Sequence, residues 1–259
     1  MAGWKRGIQE QAQQFLNVSV RRLGLQVSRR GAGWELIEPE QLQRFLRYFD
    51  VDCVFDVGAN AGQYGQRLRE IGFTGRIISF EPNPETAARL RAAAAGDTSW
   101  TVKELALDSM SRPLTFNIMK SDQFSSLHQP DHSGTVAFKD MNAVTRTVSL
   151  QTQTIRDLFP ALQAEFGFKR PYLKMDTQGH DVDVVRGADA YMAQFVGIQS
   201  ELAITRLYQS APDIHEALDY YQHLGFKLSS LVPNNAGHFP DLNEVDCIMY
   251  NVRLAAAHS

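Results

Sequence analysis

Short apolar runs alternate along most of the chain with longer segments whose apolar residues recur at helical spacing. This alternation is typical of an α/β protein, in which a helix carries the chain from one parallel strand to the next in the right-handed sense. The pattern predicts helices at 63–71, 84–95, 155–166 and 214–224, and one that begins near Val182. It predicts strands at 54–57, 76–80, 100–107, 114–119, 144–152, 172–175, 195–202, 226–231 and 245–251.

Two of these strands, 114–119 and 144–152, are predicted to form an antiparallel pair inserted into the α/β pattern, a β-hairpin insertion. The segment 120–142 between them is polar and carries several serines and histidines. Loops of this length inside a domain usually have a functional role as lids or binding loops. We therefore expect acceptor specificity to lie in this segment and in the loop 234–241.

The first fifty residues are predicted to be a helical extension, which gives two domains, 1–50 and 51–259. The segment 1–30 combines apolar residues at helical spacing with an excess of basic residues, and two interpretations stay open. It either packs on the body with a solvated basic face or makes peripheral contact with a membrane or an anionic glycan. A second helix is predicted to open at Glu38 and Pro39, with Leu42, Phe45, Leu46 and Phe49 as its buried stripe.

Composition excludes several classes of protein. Of 259 residues, 44% are hydrophobic and 21% are charged, which is typical of a globular protein. The formal net charge of −3 gives no bulk attraction to nucleic acid. Cys53 and Cys247 are predicted to be buried free thiols in a reducing cytoplasm, because two cysteines cannot make a disulfide framework. No apolar run is long enough for a transmembrane helix, so we predict a cytoplasmic protein; oligomeric state is not indicated.

The first strand ends in a glycine turn, Asp56 to Gly62, that opens a helix. Glycines at 58 and 62 are predicted to let the backbone approach a ligand, and Asn60 tolerates a left-handed turn. Glu81 follows the second strand, where an acid can accept from both ribose hydroxyls of a nucleotide. This favours NAD or S-adenosylmethionine over NADP. Asp56 before the turn, and Asn60 where a dinucleotide fingerprint has glycine, favour the cationic S-adenosylmethionine.

Four predicted strands end in an acid: Asp56, Glu81, Asp108 and Asp176. Ligands of open α/β sheets bind at the carboxyl ends of the strands, so these acids are predicted to share one functional edge. The alternative for each is a helix cap.

The motifs VFDVGANAGQYG, ISFEPNPE, ELALDS and YLKMDTQGHDVDVVRGA, in this order, resemble the FkbM-type S-adenosylmethionine-dependent methyltransferases. The resemblance covers residue 45 to the C-terminus. It implies the class I methyltransferase (Rossmann-like) fold, a mostly parallel seven-stranded sheet flanked by helices, with order 3-2-1-4-5-7-6. It also implies contacts with four parts of the cofactor. The methionine part would be surrounded by Asp56, Gly58, Ala59, Asn60, Gly62 and Tyr64, and the ribose would be held by Glu81 and Asn83. The adenine would be flanked by Ala106, Leu107 and Asp108, and the sulfonium would face Asp176.

Methyl transfer to a hydroxyl is an in-line displacement that a base assists by taking the proton. Asp176 is the first candidate for the base, with His180 and Glu201 as the others. Substrate contacts are predicted for Gln178, Asp181, Glu201, Tyr208 and His238. Asp176, His180, Asp181 and Glu201 are together a possible set of ligands for Mg²⁺, but the predicted chemistry is metal-independent.

The sequence thus predicts an O-methyltransferase that acts on a hydroxyl of a sugar, glycan, glycolipid or natural product. Two alternatives stay open: an NAD-dependent oxidoreductase and a cofactor-binding partner subunit without catalysis.

Overall fold

The computed structural model describes residues 34–133, 138–233 and 240–256. The chain divides into two compact units, Met1–Glu40 and Gln41–Ser259. Helix α1, Trp34–Tyr48, is the first element of the described part. The predicted basic helix and His238 lie outside the described residues, and the domain boundary after residue 50 stays a prediction.

The central sheet has seven strands: β1 Cys53–Val57, β2 Arg76–Phe80, β3 Trp100–Lys103, β7 Pro171–Met175, β8 Gly197–Ala203, β9 Phe226–Pro233 and β10 Glu244–Asn251. Their order is β3-β2-β1-β7-β8-β10-β9. All neighbouring pairs run parallel except those that β10 makes with β8 and β9. The predicted order is therefore confirmed, with a single antiparallel strand next to the edge, and the fold is that of the class I methyltransferases.

Helices cover both faces of this sheet, so β1 and β7 are buried along their whole length. Phe55 belongs to one apolar cluster, and its neighbour Val54 belongs to a second, because successive strand residues face opposite sides. The further helices are α2 Gln63–Glu70, α3 Pro84–Ala94, α4 Ile155–Phe166, α5 Asp181–Ala188, α6 Ile214–His223 and α7 Val252–Ala256.

The prediction that residues 100–107 form a single strand, the third of the central sheet, is wrong. After Lys103 the chain leaves the central sheet, and β4, Ala106–Leu107, pairs in parallel with a strand of a separate sheet. That three-stranded sheet has the order β4-β6-β5, with β5 Pro113–Met119 and β6 Val144–Gln153 antiparallel, which confirms the predicted inserted pair. Asp108 therefore follows a strand of the small sheet and does not end the third strand of the central one.

Local signals fix several helix starts. Asn83 caps α3 ahead of Pro84, and Thr154 caps α4, each by accepting a backbone N–H. Asp213 and Glu216 form a reciprocal capping box at α6.

No helix in the described ranges is long and apolar enough to cross a membrane. Cys53 and Cys247 are free and buried, as predicted.

Candidate functional site

The turn after β1 adopts left-handed backbone at Gly58 (φ 74°), Asn60 (φ 48°) and Gly62 (φ 95°). A Cβ added to Gly58 would lie 2.0 Å from the backbone oxygen of Asp176. The glycine at 58 is thus required by the chain at the end of β7, and the close approach of a ligand that the sequence suggested stays a prediction. The backbone N–H groups of Gly58 and Ala59 both donate to the Phe80 carbonyl at the end of β2, so the turn is fixed from both neighbouring strands.

Gly62 and Gly65 make room for the indole of Trp100. A Cβ at Gly62 would lie 3.3 Å from the ring and one at Gly65 only 2.1 Å from it. The indole Nε1 donates to the hydroxyl of Ser79 at 2.9 Å. Trp100 therefore supports the helix that the turn opens.

Asp56 is fully buried and does not point to open solvent. Ser79 donates to its Oδ2 at 2.9 Å, and the ammonium of Lys174 lies 3.3 Å from its Oδ1. Asp56 pairs in register with Ser79 on β2 and with Lys174 on β7, which places all three side chains in one row. Burial raises the pKa of Asp56, and Lys174 and Ser79 counter this only in part. Its predicted contact with the cofactor's cationic group stays a prediction.

Lys174 is the residue that sequence reasoning missed. Its ammonium lies 3.6 Å from Asp176 Oδ2 and 4.9 Å from the centre of the Tyr64 ring, whose hydroxyl donates to Gln199 at 2.8 Å. Burial lowers the pKa of Lys174, but the charges of Asp56 and Asp176 outweigh it and raise the pKa above the usual value. A lysine within an apolar strand needs a carboxylate partner, and this signal is present in the sequence.

Glu81 turns toward the glycine turn. Its two oxygens accept the backbone N–H groups of Asn60 and Asn83, both at 2.9 Å. Burial raises the pKa of Glu81 to about 7 in spite of these two donors. The side chain of Asn83 is engaged at Glu85 as the helix cap. Of the two residues predicted for the ribose, Glu81 therefore contacts the turn and Asn83 contacts Glu81, and their contact with a ribose stays a prediction.

Ala106 and Leu107 are buried in β4, and Asp108 next to them is fully buried. The Asp108 carboxylate accepts from His180 Nε2 at 3.0 Å, from Arg112 Nε at 2.8 Å and from the Ser109 N–H at 2.6 Å. Burial alone would raise the pKa of Asp108, but these donors outweigh it and hold the pKa well below its usual range. The adenine contact predicted for these three residues is untested.

The structure brings together four residues predicted for catalysis or substrate binding. Both amide protons of Gln178 are used, since Nε2 lies 2.9 Å from Asp176 Oδ1 and 2.8 Å from Glu201 Oε2. The hydroxyl of Tyr208 lies 2.7 Å from Gln178 Oε1. We call Asp176, Gln178, Glu201 and Tyr208 the acceptor network. The side chain of Asp176 is 42% exposed, which makes it accessible to a ligand.

The inserted segment reaches this network. Gln178 has a left-handed backbone (φ 56°), and its carbonyl accepts from the Ser126 hydroxyl at 2.7 Å. The Phe124 carbonyl lies 2.9 Å from the Tyr208 hydroxyl. Segment 120–142 therefore supports the turn that carries Gln178.

Acidic groups are crowded on this side of the site. Burial, together with the charges of Asp176, Glu244 and Asp246, raises the pKa of Glu201 well above its usual value. Burial and the charge of Asp176 raise the pKa of Glu244 to about 8. Glu201 faces Asp246 directly in the β8–β10 register. At neutral pH the site therefore favours proton uptake by some of these carboxylates.

Asp181 holds backbone and side chains of the protein. Its Oδ1 accepts from the backbone of Thr177 at 2.9 Å, and its Oδ2 accepts from Ser200 at 2.7 Å and from the Glu201 N–H at 3.1 Å. Burial raises the pKa of Asp181, although these hydrogen bonds act to lower it. Asp181 thus positions Glu201, and its predicted substrate contact is untested.

His180 precedes α5, and its ring is separate from the acceptor network's hydrogen bonds described above. One ring nitrogen faces Asp108 and the other lies 3.0 Å from His128 Nε2. Among the described residues, the only group of His, Cys, Asp or Glu close enough to share a metal ion is His128, His180 and Asp183. Asp176, His180, Asp181 and Glu201, the possible Mg²⁺ ligands, do not form such a group among the described residues.

Comparison with known families gives one match. A model of the methyltransferase FkbM domain matches residues 56–228, about two thirds of the chain. No curated protein matches the chain.

Solved structures resemble the chain at low identity. Magnesium protoporphyrin IX methyltransferase from Synechocystis is 8% identical, with 93% of this chain and 95% of that chain covered and a TM-score of 0.43. Aeropyrum pernix fibrillarin with bound S-adenosylmethionine is 12% identical over 76% of this chain and 66% of that chain, with a TM-score of 0.40. Fibrillarin of Methanococcus jannaschii is 13% identical over 77% and 66%, with a TM-score of 0.41. At these values the likenesses say nothing about the substrate, and the fold assignment rests on the strand order.

Proposed function

The chain belongs to the FkbM methyltransferase family, and from this premise we propose that it methylates a hydroxyl oxygen of a sugar, glycan, glycolipid or natural product. S-Adenosylmethionine-dependent methylation is the chemistry of the family, and it disfavours the NAD-dependent oxidoreductase alternative. The hydroxyl acceptor is our proposal. The observation that carries it is the acceptor network with the half-exposed Asp176 at its edge.

The residues at the turn fit S-adenosylmethionine. A carboxylate offers about four acceptor positions, and Glu81 uses two for the backbone of Asn60 and Asn83, which leaves two for a ribose diol. Lys174 neutralises Asp56, so we assign the cationic part of the cofactor to the exposed carboxylate of Asp176. When bound, the cofactor supplies an electrophilic methyl group on a positively charged sulfur.

Asp176 is the proposed general base. The Gln178 amide orients its Oδ1 at 2.9 Å, and Lys174 lies 3.6 Å from its Oδ2. A carboxylate held in this way can accept the proton of an acceptor hydroxyl while the new carbon–oxygen bond forms. Glu201 is a weaker candidate because its raised pKa favours the protonated form. His180 is weaker still, because both ring nitrogens face protein groups.

The chemistry of the network favours a polyhydroxy acceptor. Carboxylate, amide and phenol groups alternate across Asp176, Gln178, Glu201 and Tyr208, so that donors and acceptors are both presented. The crowding of acids that raises the pKa of Glu201 and Glu244 would repel a phosphate-rich acceptor, which supports the prediction that nucleic acid is not a partner. The free buried thiols Cys53 and Cys247 support a reducing cytoplasm as the proposed place of action.

Radiolabelled methyl transfer to fractionated glycan and glycolipid extract, followed by identification of the product, tests the proposal. Asp176→Asn is expected to lower turnover by about 10²- to 10⁴-fold, the usual contribution of a general base. Binding of S-adenosylhomocysteine tests separately whether the cofactor side survives. Asp219→Asn, an exposed carboxylate of α6, is the matched control and should leave turnover unchanged.

Three results would contradict the proposal. They are a methyl group found on nitrogen or carbon, full turnover by Asp176→Asn, and cofactor binding without transfer to any fraction. The last result would favour the partner-subunit alternative.

A further inference from the structure

Three potential metal ligands converge from separate parts of the fold. His128 lies in the inserted segment, His180 directly precedes α5, and Asp183 lies in its first turn. One ligand atom from each lies within 4.8 Å of the others. His180 Nδ1 is 3.0 Å from His128 Nε2 and 3.6 Å from Asp183 Oδ2. The proposed function assigns no role to this group.

One ring nitrogen of His180 is occupied by a carboxylate. Nε2 lies 3.0 Å from Asp108 Oδ1, and Asp108 also accepts from Arg112 and from the Ser109 backbone. This contact leaves Nδ1 as the ring nitrogen that faces the other two members of the group.

Nδ1 faces two further potential ligand atoms. His128 Nε2 lies at hydrogen-bond distance, and Asp183 Oδ2 lies 3.6 Å away. Arg186 pairs with the other carboxylate oxygen of Asp183 at 2.9 Å, so Oδ2 is not used by this ion pair. A hydrogen bond between the two rings would leave Asp183 Oδ2 beyond bonding distance of them, whereas a metal ion would engage all three atoms.

We propose that His128, His180 and Asp183 bind a divalent transition-metal ion of the zinc class. Two imidazole nitrogens and one carboxylate oxygen form a donor set that such ions prefer. With metal–nitrogen bonds of about 2.0–2.1 Å, nitrogens 3.0 Å apart subtend roughly 95° at the metal. His128 and Asp183 are only partly buried, so an ion can enter, and a further position is open to water.

Asp108 completes the arrangement as an outer-shell residue. Metal-bound histidines almost always donate their second N–H to a carboxylate or carbonyl, which fixes the ring and strengthens the ligand. Asp108 makes this contact with His180, and it is itself held by Arg112. The Asp108–His180 pair therefore has the form expected of a metal site.

The ion would fasten the inserted segment to the body of the domain. His128 is two residues from Ser126, whose hydroxyl donates to the Gln178 carbonyl. A metal at His128 thus holds the same segment that supports the acceptor network. We assign the ion a positioning role, and the methyl-transfer chemistry does not pass through it.

Direct metal binding tests the proposal with the full-length chain, without a histidine tag and stripped by EDTA. Titration with Zn²⁺ in a calorimeter should give one tight equivalent, and Co²⁺ should give a visible absorption band. His128→Asn and Asp183→Asn should each weaken binding by at least about tenfold, the range reported even for outer-shell partners. His132→Asn removes a histidine of the same segment outside the group and should bind normally.

The variants also need a check of folding, and circular dichroism with S-adenosylhomocysteine binding provides it. A folded His128→Asn that binds Zn²⁺ as tightly as the wild type would overturn the proposal, because the ion would then lie elsewhere. Absence of a tight equivalent in the wild type would also overturn it, and a shared proton would then account for the histidine pair. Neither measurement uses an acceptor or turnover, so failure here leaves the proposed function to its own test.

Discussion

The proposed cofactor side and the proposed acceptor side of the site differ in the groups that compensate their buried acids. On the cofactor side, Asp56 is matched by the single cation Lys174, and Glu81 by two backbone N–H groups. On the acceptor side, the carboxylates of Glu201 and Glu244 add to that of Asp176, and their pKa values rise. On the first side each acid has a cation or backbone donors from the protein, although burial still raises the pKa of Asp56 and Glu81; we call this arrangement the framework. On the second side excess negative charge is left for a ligand or a proton to neutralise.

Lys174 joins the two sides, since its ammonium lies 3.3 Å from Asp56 and 3.6 Å from Asp176. The same lysine therefore stabilises a buried structural acid and orients the proposed base. The two sides of the site therefore depend on one buried cation.

The largest effect is expected from Gly58→Ala, which attacks the framework directly. The added Cβ would lie 2.0 Å from the Asp176 carbonyl oxygen. We therefore expect the free energy of unfolding to fall by at least about 4 kcal/mol and cofactor binding to be lost. Gly96→Ala is the matched control, because Gly96 has a similar φ of 87° with nothing within 4 Å. It should cost only about 1–2 kcal/mol. Urea unfolding measures both, and equal losses would show that the clash is relieved.

Lys174→Met tests the lysine shared by the two sides. It leaves Asp56 buried without its cation, and we expect a loss of about 3–5 kcal/mol in urea unfolding. Asp56→Asn should cost less, because Lys174 keeps Asp176 as a partner. The double variant Asp56→Asn/Lys174→Met should recover much of the loss. A double variant as unstable as Lys174→Met alone would refute the ion-pair explanation.

The smallest expected effect is a difference between the two sides in how their acids make the free energy of unfolding depend on pH. The pKa of Glu81 is raised to about 7 and that of Glu244 to about 8, from an ordinary value of 4.5. In each case the folded chain keeps a proton that the unfolded chain releases, so the contribution to stability is complete below pH 4.5 and is lost as pH rises to the folded pKa.

Unfolding free energies measured from pH 4.5 to 9 check this sign. Glu81→Gln should remove the fall in stability that ends near pH 7, and Glu244→Gln the part that extends to about pH 8. Curves for both variants that run parallel to the wild type would contradict the raised pKa values.

The framework was largely predictable from the sequence because its signals are local. The apolar run before Asp56 and the glycines of the turn predicted the strand and the helix start, and both predictions are confirmed. The cofactor edge, predicted from the acid at 81, stays a prediction. Asn83 with Pro84 fixed the next helix start. Strand order followed from the family resemblance.

The misses depend on pairing between distant segments. Nothing in residues 100–107 states that the chain changes sheets after Lys103, because both halves are equally strand-like. The partnership of Lys174 with Asp56 arises from the register of β1 with β7. His128 and His180 are in contact although they are 52 positions apart in the sequence, and no spacing motif predicts this contact.

Trp100 makes the framework observable. Its indole fills the space left by Gly62 and Gly65 and donates to Ser79, which in turn donates to Asp56. Indole emission responds to local polarity and to quenching groups, so we expect ligand binding at the glycine turn to change it. The protein thus carries an intrinsic fluorophore beside the turn that we propose for the cofactor, and binding there can be followed without a label or an acceptor.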